Sequence, residues 1–165
     1  MTDTDPPAKA FKIYFAGAIR AGREDASLYA DLIRYLGRFG TVLTAHVGDA
    51  ALLAAEQFLT EAEIFHRDMQ WLEAADFVVA EVSTPSLGVG FEIGMAQTMG
   101  KEICCLYRRR QGISLSAMII GNQALSVHAY AEYGEAERLL ANFVDALAKS
   151  RERGTDRVTP SPAQN

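Results

Sequence analysis

A glycine-rich stretch with a glutamate inside it, SLGVGFEIGMA at residues 86–96, is the part of the chain that most clearly suggests chemistry. Its glycines, Gly88, Gly90 and Gly94, have the spacing G-x-G-x-x-x-G, one residue longer than the dinucleotide-binding fingerprint. We predict that a helix starts at about residue 88, and the N-terminus of a helix attracts anions. Because Glu92 would repel a pyrophosphate there, a dinucleotide is not the favoured ligand. Glu92 is either a first-turn residue that complements the helix dipole or a nucleophile that this site keeps ionised.

The stretch YFAGAIRAGRED, residues 14–25, contains groups suited to binding a phosphate. Gly17 allows the backbone to approach a ligand closely, and arginine donates several hydrogen bonds to phosphate oxygens. Arg20 lies three residues after the end of a predicted strand, so we predict that it contacts the ligand. Arg23 is followed by two acidic residues and is better explained as part of a solvated charge cluster.

Two further polar residues lie within predicted apolar elements. Tyr14 is in a predicted buried strand, where its hydroxyl needs a partner, although an ordinary core tyrosine is the simple alternative. Asp68 interrupts the apolar stripe that Ile64, Trp71 and Leu72 form on a predicted helix. It is therefore either a buried acid with a function or a solvated residue at the edge of the stripe.

The elements that must position these residues alternate between strands and helices. The predicted strands are residues 11–17, 41–44, 76–82, 102–107 and 125–130. The predicted helices are residues 26–39, 60–75, 88–100 and 134–149. Thr60 and Glu63 have the spacing of a capping box at the start of the second of these helices.

This alternation predicts a single α/β domain over residues 10–149, between disordered segments at 1–9 and 150–165. The expected architecture is a doubly wound, five-stranded parallel sheet in the order 2-1-3-4-5 with helices on both faces. In such a sheet, ligands bind beyond the carboxyl ends of strands 1 and 3, where the winding direction switches. Those ends are residues 17–24 and 83–92, which carry the unusual residues. The strand order therefore predicts one crevice.

The composition limits the classes of function. With 165 residues, 49% of them hydrophobic, and a net charge of -5, the chain is globular and has no general nucleic-acid surface. Cys104 and Cys105 are adjacent in an apolar run, so we interpret them as reduced core residues. His46 and His66 have no acid or cysteine at metal-ligand spacing, and we predict no metal site and no cofactor. We see no signal peptide and no apolar run of about 20 residues, so we expect an intracellular protein of the cytoplasm or nucleus without a membrane partner.

In combination, the motifs YFAGAIRAGRED, Asp68, PSLGVGFEIG and LSAMIIG resemble those of the 2'-deoxynucleoside 5'-monophosphate N-glycosidases, relatives of the nucleoside 2-deoxyribosyltransferases. The resemblance covers about residues 11–145. It implies a doubly wound fold, a homodimer, and hydrolysis of (2'-deoxy)nucleoside 5'-monophosphates to free base and sugar phosphate. Two carboxyl groups in different environments are the usual means of glycosidic cleavage, and this chemistry requires no redox or metal cofactor.

The resemblance also implies roles for particular residues. Glu92 would be the nucleophile at C1' and form a covalent glycosyl intermediate, Tyr14 would hold its carboxylate, and Asp68 would protonate the leaving base. A second group of residues would hold the substrate phosphate. One of them, Ser116 in the LSAM motif, would reach the phosphate of the neighbouring subunit. The whole group is Gly17, Ala18, Ile19, Arg20, Ser86, Gly88 and Ser116.

Two positions bear on the choice of substrate. Ala18 stands where better-known members of the family have a phosphate-binding serine, so one phosphate contact is missing or is supplied by the backbone. Ser86 stands where the transferases resemble one another in having an aspartate that accepts from the sugar 5'-hydroxyl. A serine can instead donate to a phosphate, which favours a monophosphate substrate. The alternatives are a deoxyribosyltransferase acting on nucleosides and a non-catalytic nucleotide-binding module.

Overall fold

Five parallel strands form one sheet in the order β2-β1-β3-β4-β5, which confirms the predicted topology. The structure is a computed structural model that describes residues 11–19, 25–49, 51–109 and 114–155. The strands are β1 (Phe11–Ala16), β2 (Gly40–Val42), β3 (Phe77–Glu81), β4 (Glu102–Arg108) and β5 (Ser126–Tyr130).

The helices connect these strands and cover both faces of the sheet, as predicted. They are α1 (Ala26–Leu36), α2 (Leu52–Glu56), α3 (Glu61–Ala74), α4 (Leu87–Thr98), α5 (Ala117–Ile120) and α6 (Tyr133–Thr155), with a 3-10 helix at Ala45–Gly48. The sequence analysis did not predict α2, α5 or the 3-10 helix, because four or five residues are too few to show a helical period. None of the described helices is long and apolar enough to cross a membrane.

A separate apolar layer covers each face of the sheet. Neighbouring residues of a strand point to opposite faces, so Phe15 packs with α1 and α6 while Tyr14 packs with α3 and α4. Cys104 and Cys105 divide in the same way, and both are buried free thiols, as predicted. Tyr14, α3 and α4 therefore share one layer.

The last helix is longer than the sequence analysis predicted. It continues to Thr155, beyond the predicted end at residue 149, so residues 150–155 are helical and not a disordered tail. Arg151 accounts for part of this extension, because it forms a 2.5 Å ion pair with Asp76 and lies 4.4 Å from the ring centre of Phe11. The predicted disorder at residues 1–9 and 156–165 lies outside the described residues.

Candidate active site

A cavity of about 550 Å³ lies at the carboxyl ends of β1 and β3, at the switch point of the sheet. Its walls come from the segment after β1, from α2 and α3, and from the start of α4. Six residues singled out by the sequence analysis line it: Gly17, Ile19, Asp68, Ser86, Gly88 and Glu92. One space of nucleotide-monophosphate size therefore brings together residues from three distant parts of the chain.

Tyr14 does not itself line this cavity, but its hydroxyl donates a hydrogen bond over 2.6 Å to Oε1 of Glu92, which does. Burial raises the pKa of Glu92 to about 7; the hydrogen bond from Tyr14 opposes this rise, and the negative charge of Asp68 adds to it. Burial and the neighbouring carboxylate also raise the pKa of Tyr14, which is 1% exposed, so its hydroxyl remains a donor. Tyr14 is thus more than an ordinary core tyrosine.

Glu92 does not lie in the first turn of its helix, which corrects the sequence-based interpretation. Ser86 is the N-cap of α4 and its hydroxyl accepts from the amide of Val89 over 3.4 Å, so Glu92 is the sixth helical residue. Gly88 and Gly90 are consequently helical and do not form a loop. The dipole acts mainly within the first turn, whereas burial dominates at Glu92. Its pKa is therefore raised, and the expectation that this position keeps the carboxylate ionised is wrong.

Asp68 lies on α3, two turns after a capping box that fixes where the helix begins. Thr60 accepts from the amide of Glu63 over 3.2 Å, and the Glu63 carboxylate accepts from the amide of Thr60 over 2.7 Å. The Asp68 side chain is 19% exposed, and both Nε and Nη2 of Arg67 approach its Oδ1 to 2.9 Å. Asp68 is therefore neither unpaired in the core nor freely solvated.

The sequence analysis missed the acid and the arginine that accompany Asp68. Arg67 donates to Oε1 of Glu56 over 2.6 Å, and Glu56 is only 8% exposed where it lines the cavity. His46, interpreted as structural and without an acid partner, lies 3.3 Å from Arg67 and 3.8 Å from Glu56. Glu56 could have been found, because it is a lone acid in the apolar run LLAAEQFL and invites the same argument as Asp68. Within the described part of the chain, no group of three or more potential ligand side chains is arranged to hold a metal.

Tyr29 of α1 contacts the segment that follows β1. The amide of Ala18 donates to the Tyr29 hydroxyl over 3.3 Å, and the Ala18 side chain is fully buried. The Ala18 amide thus already has an acceptor within the protein. A Cβ at Gly17 would lie 2.9 Å from the Tyr29 ring, so glycine is required by this packing as well as by the cavity. Arg20, the predicted phosphate ligand, lies outside the described residues.

Ser116 does not line the cavity that contains Glu92. It is the N-cap of α5, where its hydroxyl accepts from the amide of Met118 over 3.3 Å. It lines a second cavity of about 500 Å³, between α4 and α5, which shares Ser86 with the first. Within one chain, then, the structure does not bring Ser116 together with Glu92.

The chain has the sheet order and the tyrosine-held glutamate described above, and its sequence also matches the model of a known family. The family model described as nucleoside 2-deoxyribosyltransferase matches residues 13–144. The chain therefore belongs to the nucleoside 2-deoxyribosyltransferase family, which confirms the resemblance.

Relatives of the chain are identical to it at nearly half of the aligned positions. The rat protein 5-hydroxymethyl-dUMP N-hydrolase is 48% identical over 139 residues, which cover 81% of this chain and 85% of the relative. A putative 2'-deoxynucleoside 5'-phosphate N-hydrolase 1 of Nematostella vectensis is 49% identical over 142 residues, covering 82% and 95% of the two chains. A solved structure of a CMP N-glycosidase from Clostridium botulinum has the same fold, with a TM-score of 0.57 at 23% identity over 80% of this chain and 98% of that one.

Proposed function

We propose that this chain hydrolyses the N-glycosidic bond of (2'-deoxy)nucleoside 5'-monophosphates, releasing the free base and the (deoxy)ribose 5-phosphate. The observation that carries the proposal is the 2.6 Å contact of Tyr14 with Glu92, which lines a cavity together with Asp68. A binding module would need neither a buried, tyrosine-held carboxylate nor a second carboxylate beside it. Similarity to proteins named as N-hydrolases of nucleoside monophosphates supports the same conclusion.

In the proposed reaction, the ionised form of Glu92 attacks C1' of the sugar while the bond from C1' to the base nitrogen breaks. Tyr14 holds one carboxylate oxygen, which orients the attacking group. Asp68 transfers its proton to the departing base. Water then attacks C1' of the glycosyl ester, giving its hydroxyl to the sugar and a proton back to Asp68, and Glu92 is released.

We place the substrate phosphate at the N-terminus of α4, beside Ser86 and Gly88 and facing Gly17 and Ile19. The N-terminus of a helix carries partial positive charge and orients amide donors toward an anion. Arg20, close in sequence to this segment, would supply the positive side chain. The neutral Ser86 leaves room for a dianion where an aspartate would repel it.

We further propose that the active unit is a homodimer in which Ser116 of each chain completes the phosphate site of the other. Large apolar side chains are exposed around the second cavity: Leu87 is 97% exposed, Met118 81% and Ile120 56%. A patch of this kind usually marks a protein interface. Gly90 lies on α4, the helix that begins at Leu87. No atom lies within 4 Å of the position that a Cβ on Gly90 would take, which leaves space for a partner to approach.

The function is tested by incubating the purified chain with each deoxy- and ribonucleoside 5'-monophosphate and with the corresponding nucleosides. Chromatography would detect the released base, and the Glu92→Ala chain is the matched control. We expect free base from the monophosphates and almost none with the control. Exchange of bases between nucleosides would instead identify a deoxyribosyltransferase, and binding without base release would identify a nucleotide-binding module.

A further inference from the structure

A polar cluster with no part in the proposed reaction lies on the face of the sheet opposite Tyr14. Its centre is Arg108, the last residue of β4, which forms an ion pair with Asp25. The Nε atom of Arg108 also lies 3.8 Å from Oε1 of Glu81, a carboxylate that is completely buried. Tyr130 donates to the same oxygen over 2.9 Å, and Ser83 donates to it as well.

This cluster reaches the phosphate-binding segment through Asp25, which directly precedes α1. An aspartate in this position ordinarily accepts from the first amides of its helix, but Asp25 makes no such contact. Its Oδ2 atom accepts instead from Arg108 and, over 3.1 Å, from the hydroxyl of Thr84. The Asp25 side chain is 12% exposed, so this contact lies mostly within the protein.

The other end of the same segment is attached to α1 as well. Tyr29, one turn after Asp25, accepts the amide of Ala18 and packs against Gly17. Gly17 and Ala18 are therefore fixed to the first turn of α1, the helix that Asp25 precedes. The contact between Asp25 and Arg108 attaches that turn to β4.

We propose that Arg108 is a positioning residue for phosphate recognition, acting through Asp25 and the first turn of α1 on Gly17 and Ala18. The inference rests on the proposed function, because it assumes that the substrate phosphate binds beside Gly17 and Ile19. Arginine suits this role since its fork can face two carboxylates at once, whereas lysine offers a point charge. Arg108 also places one positive charge beside the carboxylates of Asp25 and Glu81, which reduces the negative charge at this end of the sheet.

The test separates binding of the phosphate from binding of the rest of the nucleotide. In a Glu92→Ala background, which prevents turnover, calorimetry would give the Kd of a deoxynucleoside 5'-monophosphate and of the same deoxynucleoside. The Kd of the nucleoside divided by the Kd of the monophosphate measures what the phosphate contributes. We expect Arg108→Gln to reduce this ratio by about 10-fold, as for the loss of a charge-assisted contact, and Arg108→Lys to reduce it less.

Arg109→Gln is the matched control. Arg109 is the next residue along the chain, its side chain is 60% exposed, and it pairs with Glu135 over 3.1 Å. We expect the ratio for Arg109→Gln to equal that of the unsubstituted chain. An unchanged ratio in Arg108→Gln, or equal weakening of both ligands, would overturn the inference, because a merely structural role affects both ligands alike.

A second set of variants tests the route through Asp25. If Arg108 acts through Asp25, then Asp25→Asn, Arg108→Gln and the double variant should reduce the ratio by the same factor. If the double variant instead reduces the ratio by the product of the two single-variant factors, Asp25 and Arg108 act independently, and the route through Asp25 is contradicted. The double variant leaves no unpaired charge at Asp25, so it also replaces Arg108→Gln if that chain does not fold. A chain that binds the monophosphate without releasing base would contradict the proposed function but would still test this inference.

Discussion

Replacing Glu92 with glutamine should make the protein more stable at alkaline pH while abolishing most of its turnover. Glutamine has the shape of glutamate and its carbonyl oxygen can accept the hydrogen bond from Tyr14. The substitution therefore removes a buried negative charge and little else. A substitution that removes such a charge often increases stability and reduces activity, because the environment that activity requires also destabilises the charged group.

The expected size follows from the pKa of Glu92, which is 4.5 for an ordinary glutamate and about 7 in the folded protein. Each pKa unit corresponds to about 1.36 kcal/mol, so ionised Glu92 lowers the free energy of unfolding by about 3 kcal/mol. A raised carboxyl pKa means that this loss is absent below pH 4.5 and complete above pH 7. For a domain of this size, about 3 kcal/mol corresponds to a rise in Tm of roughly 6–12 °C.

Urea unfolding of both chains at pH 5 and pH 8.5, at equal protein concentration, would measure the difference. The fluorescence of Trp71, the single tryptophan, reports the transition. Glu63→Gln is a control of opposite sign, because hydrogen bonds from Thr60 lower the pKa of Glu63, so its replacement should destabilise the protein at both pH values. Equal effects of Glu92→Gln at the two pH values, or a loss of stability at pH 8.5, would refute the claim that burial raises the pKa of Glu92.

Four further predictions concern the reaction. Tyr14→Phe removes the donor that lowers the pKa of Glu92, so the rise of kcat/KM with pH should move from about 7 to a higher pH; an unmoved profile would mean that Tyr14 does not hold the carboxylate. Asp68→Asn should slow substrates with poor leaving bases far more than one with an activated leaving group, and equal losses would point to a role in binding. Ser86→Asp should weaken hydrolysis of the monophosphate by repulsion, about 4 kcal/mol before screening for charges about 4 Å apart at an effective dielectric near 20. The kcat/KM for the unphosphorylated nucleoside should fall much less, and an equal fall in both would remove this position from phosphate recognition. Mixing inactive Glu92→Ala and Ser116→Ala chains should restore activity, since one site of the mixed dimer has both residues; no recovery after proven subunit exchange would contradict a shared site.

The topology could be predicted because it depends on local patterns that combine by general rules. The run FVVA at residues 77–80 is apolar without interruption, as expected for a strand covered on both faces, and β3 is buried throughout. The capping box at Thr60 marked the start of α3 correctly. Parallel strands joined by helices, wound in one hand, then leave few arrangements, and the observed order is one of them.

The sequence was a poorer guide to the ends of elements and to electrostatic environment. The helix predicted from about residue 88 begins at Leu87, but the first-turn position expected for Glu92 was wrong, because Ser86 is the N-cap and Glu92 is the sixth helical residue. Residues 150–155 indicated a tail, yet contacts of Arg151 with β1 and the start of β3 extend the helix. For the last helix, contacts with residues far away in the sequence accompany the extension.

The sequence by itself determined which residue types are available and, through periodicity, which strand ends meet at the switch point. Only the tertiary structure decided that Tyr14 and Glu92, separated by 78 positions, are in hydrogen-bond contact. The same is true of Arg67, which forms ion pairs with both Asp68 and Glu56. Desolvation depends on every atom packed around a group, and a distance across the fold depends on several elements at once. Neither quantity is encoded in the spacing of residues along the chain. The raised pKa of Glu92 therefore follows only from the packing of α4 against the sheet.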